Sequence, residues 1–405
     1  MATVVLIGTL DTKGAEYAFL RARVEEESGD VLLVDVGILG VPGISADVSR
    51  DEVGAAAGTT IAALIAADRG IAVAAMARGA TVVAERLFRE GRLHGIAALG
   101  GSGGTTIATA AMRALPIGVP KLMVSTLAAG DTRPYVGASD IMMLYSVVDI
   151  AGLNRISVPI LTNAAAAITA MARAHSAFRP TAIADRPLIG ATMFGVTTEA
   201  VTEGRRILEE RGYEVLVFHA TGTGGQSMEA LIAGGFLAGV FDLTTTELAD
   251  ELVGGVLSAG PERLESAGRA GLPQVVSLGA LDMVNFGPRA MLPERFHDRT
   301  IHEHNPTVTL MRTNPEEAAQ LGGIIARKLN AATGPVALFL PLRGISAIAG
   351  PGGPFYDPVA DEALFAALRA TLRPDIERHE LDLAINDPHF ARAMAERLDE
   401  MVRAQ

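Results

Sequence analysis

A chain of 405 residues is long enough for two domains, each with its own core. Its net charge of −12 argues against a general nucleic-acid or anionic-membrane surface, which needs clustered Lys and Arg, while leaving room for a local basic pocket. The absence of cysteine removes disulfides, thiolate metal sites and cysteine nucleophiles, and 49% apolar residues with 44 glycines and 4% aromatics fit an α/β protein packed through small side chains.

The stretch Val4-Val5-Leu6-Ile7-Gly8-Thr9-Leu10-Asp11-Thr12-Lys13-Gly14 reads as a buried strand and a polar turn feeding a helix over 15–27. Freed N–H groups, the positive end of the helix dipole, the Thr9 and Thr12 hydroxyls and the Lys13 ammonium would meet at one spot suited to phosphate. The spacing is neither G-x-x-x-x-G-K-[ST] nor G-x-G-x-x-G, and an ordinary turn capped by Asp11 or Thr12 fits it equally well. With a strand starting by about Thr3 there is no room for a signal peptide, and no apolar run reaches the roughly 18 residues of a spanning helix, so a cytoplasmic protein is expected.

A second strand is expected over Val31–Ile38, then a Gly/Pro loop over 37–49 and Ala-rich helices from Asp51 to about Arg89. The strand Gly95–Leu99 is closed by Gly100, Gly101, Ser102, Gly103, Gly104, Thr105 and Thr106. Glycines let a backbone approach a polyphosphate, and the hydroxyls can donate to phosphate or help hold Mg²⁺; tight helix-to-strand packing is the other use of such glycines. Pro120–Ala128 gives a strand carrying Ser125 and Thr126, Ile141–Ile150 is an apolar run with Asp149 at its edge, and Val158–Ser176 is helical. Alternating strands and helices predict parallel βαβ units, so Gly8, Thr9, Gly100–Thr106 and Ser125–Asp131 would gather on one crevice at the strands' carboxyl ends.

Pro180 and Pro187 place a boundary near residues 177–187, which divides the chain into domains 1–183 and 184–405. The second half echoes the first: Ile189-Gly190-Ala191-Thr192 follows Ile7-Gly8-Thr9, and Val215–Ala220 follows Val31–Val36. The expected architecture is therefore two Rossmann-like α/β lobes, each a mainly parallel sheet flanked by helices, with a ligand cleft between them. Thr221-Gly222-Thr223-Gly224-Gly225, preceded by His219, is either the second lobe's anion turn or a plain loop. Further strands are expected over Ala238–Leu243, Gln274–Val284, Thr307–Thr313, Pro335–Leu342 and Ile376–Leu383, with a closing helix over Pro388–Arg403. If Ile301–Asn305 is extended, His302 and His304 share a face, as a metal site or an acid–base pair would want, with Asp282 near in sequence; hydrogen-bonded loop histidines are the alternative. Asn285 lies just beyond a strand, and Arg312, inside an apolar run, needs either an ion-pair partner or a bound anion.

Taken together, Gly8-Thr9-Leu10-Asp11-Thr12-Lys13, Gly100-Gly101-Ser102-Gly103-Gly104-Thr105, Ser125-Thr126, the run Val148–Asn154, the run Gly279–Gly287 and His302-Glu303-His304-Asn305 resemble the ATP-binding family of the tomato mosaic virus resistance protein. The resemblance covers essentially the whole chain, and the bacterial members form an uncharacterised protein family. It implies two α/β lobes, ATP with Mg²⁺ in the N-terminal lobe, and a homodimer. It also implies nucleotide contacts from Gly8, Thr9, Asp11, Thr12, Lys13, Gly100–Thr106, Ser125 and Thr126. The expected function is a nucleotide-binding protein that acts on or senses a small anionic metabolite. Asp11 or Asp149 would hold the metal or a ribose hydroxyl, with Asp149 the metal candidate. His302, His304, Asp282 and Arg312 form the catalytic set, and His219, Gly222, Gly224, Gly225 and Asn285 the substrate-binding set. A His- or metal-dependent hydrolase or lyase of a small acid, and a non-enzymatic sensor or partner-binding protein, are the competing classes.

Overall fold

Apolar runs of four to six residues alternating with helices can bury both strand faces only in a parallel sheet covered on each side. The computed structural model describes residues 2–27, 29–178 and 186–405. They fall into two units, Met1–Pro180 and Thr181–Gln405, and the expected boundary at 183/184 lies outside the described residues.

The N-terminal unit runs β1 (Thr3–Gly8), α1 (Leu10–Glu26), β2 (Asp30–Asp35), α2 (Arg50–Ala56), α3 (Ile61–Ile65), α4 (Arg69–Arg89), β3 (Gly95–Gly100), α5 (Ser102–Ala114), β4 (Lys121–Ser125), α6 (Arg133–Val136), β5 (Met142–Tyr145) and α7 (Ser157–Ala177). All five strands are parallel, in the order β2-β1-β3-β4-β5. Strand alternation divides the core. Val5, Ile7, Ile96, Ala98 and Met123 pack under α4 and α5, whereas Val4, Leu6, Ala97, Leu99, Leu122 and Val124 pack under α1 and α7.

The C-terminal unit runs β6 (Leu188–Met193), α8 (Thr198–Glu210), β7 (Glu214–His219), α9 (Thr223–Ala233), β8 (Gly239–Thr244), α10 (Glu247–Val253), α11 (Ser266–Ala270), β9 (Gln274–Gly279), β10 (Met283–Phe286), β11 (Ile301–Asn305), β12 (Val308–Arg312), α12 (Pro315–Asn330), β13 (Val336–Pro341), α13 (Pro358–Thr371), β14 (Glu377–Leu381) and α14 (Pro388–Arg403). Its main sheet is parallel, in the order β14-β13-β9-β8-β6-β7, and β10-β12-β11 form a separate antiparallel sheet. The single strand expected over 274–284 is in fact two. Ala280, at φ 59°, turns the chain through the left-handed region, so 283–286 joins the small sheet instead of extending β9.

One tyrosine fixes the edge that matters most. Pairing of β1 with β3 runs as far as Ile7 and Ala98. Beyond it the buried Tyr17 hydroxyl, reaching in from α1, accepts the Leu99 N–H at 2.9 Å and faces the carbonyl oxygens of Ile7 at 2.5 Å and Leu99 at 3.0 Å. Burial raises this phenol above its ordinary range, so it remains a neutral donor. Gly8 is glycine because a Cβ there would sit 1.9 Å from the Tyr17 ring. Tyr17→Phe removes the bridge but keeps the ring; urea unfolding is expected to show a loss of about 1–3 kcal/mol, and Gly8→Ala should cost more by clashing with the ring itself.

Candidate functional site

Connections in the order β2-β1-β3-β4-β5 reverse direction between β1 and β3, and ligands of such sheets settle beyond the strand carboxyl ends at that crevice. Two helices begin there with opposite electrostatics. At α1 the N-cap Thr9 bonds the Thr12 hydroxyl at 2.9 Å. The first helical N–H, of Leu10, donates to Asp35 Oδ1 at 3.1 Å, and the Gly37 N–H donates to the same oxygen at 2.8 Å. Asp35 ends β2 and is buried, and burial is the main cause that pushes its carboxyl up. Asp11 Oδ2 accepts the N–H groups of Leu39 at 2.6 Å and Gly40 at 3.2 Å, which ties down the loop after β2. Lys13 Nζ donates to the Ile150 carbonyl and Glu16 accepts the Gly152 N–H at 2.6 Å, so both side chains grip the segment after β5. Asp149 in that segment is exposed and accepts its neighbour's N–H at 2.8 Å. The opening stretch is thus a helix start already served by the protein's own carboxylates.

At α5 the N-cap is Gly101, with no side-chain cap. Among the described residues no backbone acceptor takes the N–H groups of Ser102, Gly103 and Gly104; the Thr105 N–H is the first to be used, by Gly101 O at 2.9 Å. Gly100 serves packing, since a Cβ would lie 3.1 Å from Gly104 Cα, whereas Cβ positions at Gly101, Gly103 and Gly104 are unobstructed. The Arg69 guanidinium, at the start of α4, lies 3.8 Å from the Cβ position of Gly103. Thr105 and Ser125 face each other, hydroxyl to hydroxyl, at 2.7 Å, and Ser125 accepts the Leu127 N–H at 3.0 Å. These two buried groups hold β4's turn against α5. Thr106 donates to Ser102 O at 2.9 Å, and the Thr126 N–H to Gly100 O at 3.3 Å. The loops after β1, β3 and β4 therefore do come together, and the open donors belong to α5.

In the C-terminal unit the matching crevice, between β6 and β8, is filled by ions of the chain itself. Arg263 is fully buried and donates to Asp242 at 2.6 and 2.7 Å and to Glu247 at 2.7 Å. Glu247 Oε1 in turn accepts the N–H groups of Gly222 at 2.7 Å and Gly225 at 3.0 Å. The glycine turn does grip a carboxylate, and that carboxylate is Glu247. Gly224 is held to glycine because a Cβ would lie 1.9 Å from His219 O, and the His219 ring stacks on Phe194 at 5.6 Å. Asn285 is buried and donates to Asp250 Oδ2 at 2.8 Å; burial pushes Asp250 up to about 7.

Asp282 accepts the Ser346 hydroxyl at 2.7 Å, while its Oδ1 is buried without a partner, and burial pushes it up to about 6. Arg312, whose partner the sequence left open, pairs with Asp361 at 2.5 Å and donates to Phe355 O at 2.9 Å. His302 lies edge-on to Phe355 at 6.3 Å. A register shift between Glu303 and Asn305 leaves His304 as the extra residue of a bulge, which breaks the strict alternation expected to put it on the His302 face. Among the described residues no three His, Asp or Glu side chains converge as a metal site would need.

The profile of the uncharacterised protein family UPF0261 matches twice, its N-terminal domain over residues 2–177 and its C-terminal domain over 186–402. The chain belongs to the UPF0261 family. A UPF0261 protein of Clostridium tetani is 51% identical over 401 residues, covering 98% of each chain. The ToMV resistance protein Tm-1(GCR237) of Solanum lycopersicum is 40% identical over 97% of this chain, which spans 55% of that longer protein. Among solved structures, a UDP-N-acetylglucosamine 2-epimerase from Rickettsia bellii aligns at 11% identity over 100% of this chain and 96% of its own, with a TM-score of 0.23. No helix among the described residues of this UPF0261 chain is long and apolar enough to cross a membrane.

Two expectations concern the buried ions of the C-terminal unit. Arg263→Ala would strand Asp242 and Glu247 without their cation, and chemical denaturation should show a loss of about 3–5 kcal/mol. Asp250 and Asp282 release their protons near pH 3.9 when unfolded but hold them to about 7 and about 6 when folded. Their contribution is fully present below the unfolded value and lost as pH rises through the folded values, so the urea midpoint should fall between about pH 4 and 7. Asp282→Asn keeps an acceptor for Ser346 and should flatten the lower part of that fall; an unchanged slope would speak against it.

Proposed function

We propose that the N-terminal unit of this UPF0261 protein binds a nucleoside polyphosphate, ATP carried with Mg²⁺, with its phosphates at the start of α5. One observation carries the reading. Three unused N–H groups, on Ser102, Gly103 and Gly104, open a thirteen-residue helix that has no side-chain cap, and a guanidinium stands beside them. A helix start of this kind stabilises phosphate through aligned N–H groups and the dipole, and glycine lets the ligand approach the backbone. Arg69 adds a planar donor fork suited to phosphate oxygens. Lys13, in the first turn of α1, would add a second cation once its ammonium leaves the Ile150 carbonyl.

Mg²⁺ on a nucleotide uses one or two protein carboxylates with phosphate oxygens completing the shell, and it neutralises phosphate charge there. Asp149 is exposed and Asp11 Oδ1 is without a partner, so this donor set fits such an ion. The wider reading, a homodimer that acts on or senses a small anionic metabolite, rests on the resemblance to the family of the tomato protein.

Gly101→Asp is the discriminating variant. Gly101 has φ −83° and room for a side chain, so an aspartate there should cap α5 and raise stability by a few tenths of a kcal/mol. The same carboxylate would occupy the phosphate position. Calorimetric titration with ATP and Mg²⁺ is expected to show at least about tenfold weaker binding in Gly101→Asp and in Arg69→Ala; wild-type affinity in both, or no heat with the wild type, would remove the assignment.

A further inference from the structure

We infer that Asp35 reads the ribose of the bound nucleotide, so that the site prefers ribonucleotides to 2′-deoxyribonucleotides, with the base lying toward Leu39 and Val41. The inference rests on the phosphate site at α5 and follows from how charge is arranged around it. The crevice is asymmetric: its β3 side offers free N–H groups and Arg69, whereas its β1–β2 side carries Asp11, Asp35 and the buried Glu16 along with Lys13 and Arg50. On the second side the first N–H of α1 is already taken by Asp35, so that side suits the neutral, hydroxyl-rich part of a nucleotide better than its phosphates.

Asp35 ends β2, the strand beyond β1 from the phosphate side, where doubly wound sheets place the acid that accepts from ribose hydroxyls. Its residue exposure is 1%, and its Oδ1 is committed to Leu10 and Gly37, but no described group donates to Oδ2. Oδ2 is therefore the oxygen left to accept from a ligand, and a vicinal diol offers donors to it. The reach is right as well. The carboxyl ends of β2 and β3 are two strand spacings apart, about 10 Å, the scale of a nucleotide extended from ribose to its outer phosphates.

Beyond Asp35 the chain holds up an apolar platform. Leu39 and Val41 are 79% and 88% exposed on a loop whose backbone is fixed by Asp11 and, through Gly40 O, by Arg50 at 2.5 Å. Two large apolar side chains held out to solvent on the loop that follows Asp35 suit the face of a base.

The test is a displacement titration of the full chain with ATP, dATP and inorganic tripolyphosphate, comparing wild type with Asp35→Asn. The variant keeps an oxygen to accept from Leu10 and Gly37, so the helix start survives. Wild type should favour ATP over dATP by about tenfold, the worth of one charge-assisted hydrogen bond. Asp35→Asn should bind both alike and bind tripolyphosphate as wild type does. Equal wild-type affinity for ATP and dATP, or a preference that persists in Asp35→Asn, would overturn the inference while tripolyphosphate binding leaves the phosphate site standing. Failure of both ATP and tripolyphosphate to bind wild type would overturn the phosphate reading and this one with it.

Discussion

Where β1 and β3 separate, the peptide groups of Ile7 and Leu99 lose their ladder partners inside the core, and a buried peptide group without a partner is costly. The Tyr17 hydroxyl meets both strands at that point. Much of the N-terminal unit depends on this contact. It sets the width of the crevice, requires Gly8 to lack a side chain, and fixes α1 so that its first N–H falls on Asp35. A phenylalanine would fill the same volume but leave the strand ends unpaired, so the hydroxyl and not the ring is what defines the site's floor.

The two helix starts at this crevice show that similar backbone geometry does not give equal electrostatics. Both present N–H groups at a strand's carboxyl end, and the difference lies in what the neighbouring strand brings. β2 delivers Asp35 to α1 and neutralises its N-terminal field, whereas among the described residues no carboxylate caps α5, and α4 brings Arg69 instead. The same logic operates in the C-terminal unit, where Glu247 and Asp242 enter a crevice that Arg263 closes. Whether a helix start in this fold keeps its field open is therefore decided by charges that arrive from the adjacent elements, after the glycine turns have made room.

This is also why the sequence discloses the fold more fully than the site. Strand runs such as Val4–Ile7 and Ile96–Leu99 are buried on both faces and carry their own signal, and the closing helix 388–403 was legible from its proline start and apolar stripe. The break at Ala280 was not, because nothing in an apolar run announces a left-handed alanine. Among site residues, the glycine–hydroxyl run 100–106 was readable because its chemistry is contiguous. Tyr17, Asp35, Arg69 and Arg263 were not singled out, since each acts through partners far away along the chain. Asp35 fell inside the strand expected over Val31–Ile38, and only the fold ends β2 at it. Arg312 illustrates the reverse: the sequence showed that it needed a partner, and only the fold could supply Asp361.

The carboxylate of Glu247 within the Gly222 and Gly225 amides amounts to a ligand attached to its own receptor. A tethered group competes at an effective concentration set by its short connection and not by the surroundings, on the order of millimolar or above. Arg263 strengthens that advantage by holding the second carboxylate oxygen. A free metabolite would have to outbid a partner that never diffuses away. Two sheets that share the order of five strands therefore differ in kind: one leaves its glycine-lined helix start without a side-chain cap, and the other has turned the equivalent crevice into internal architecture.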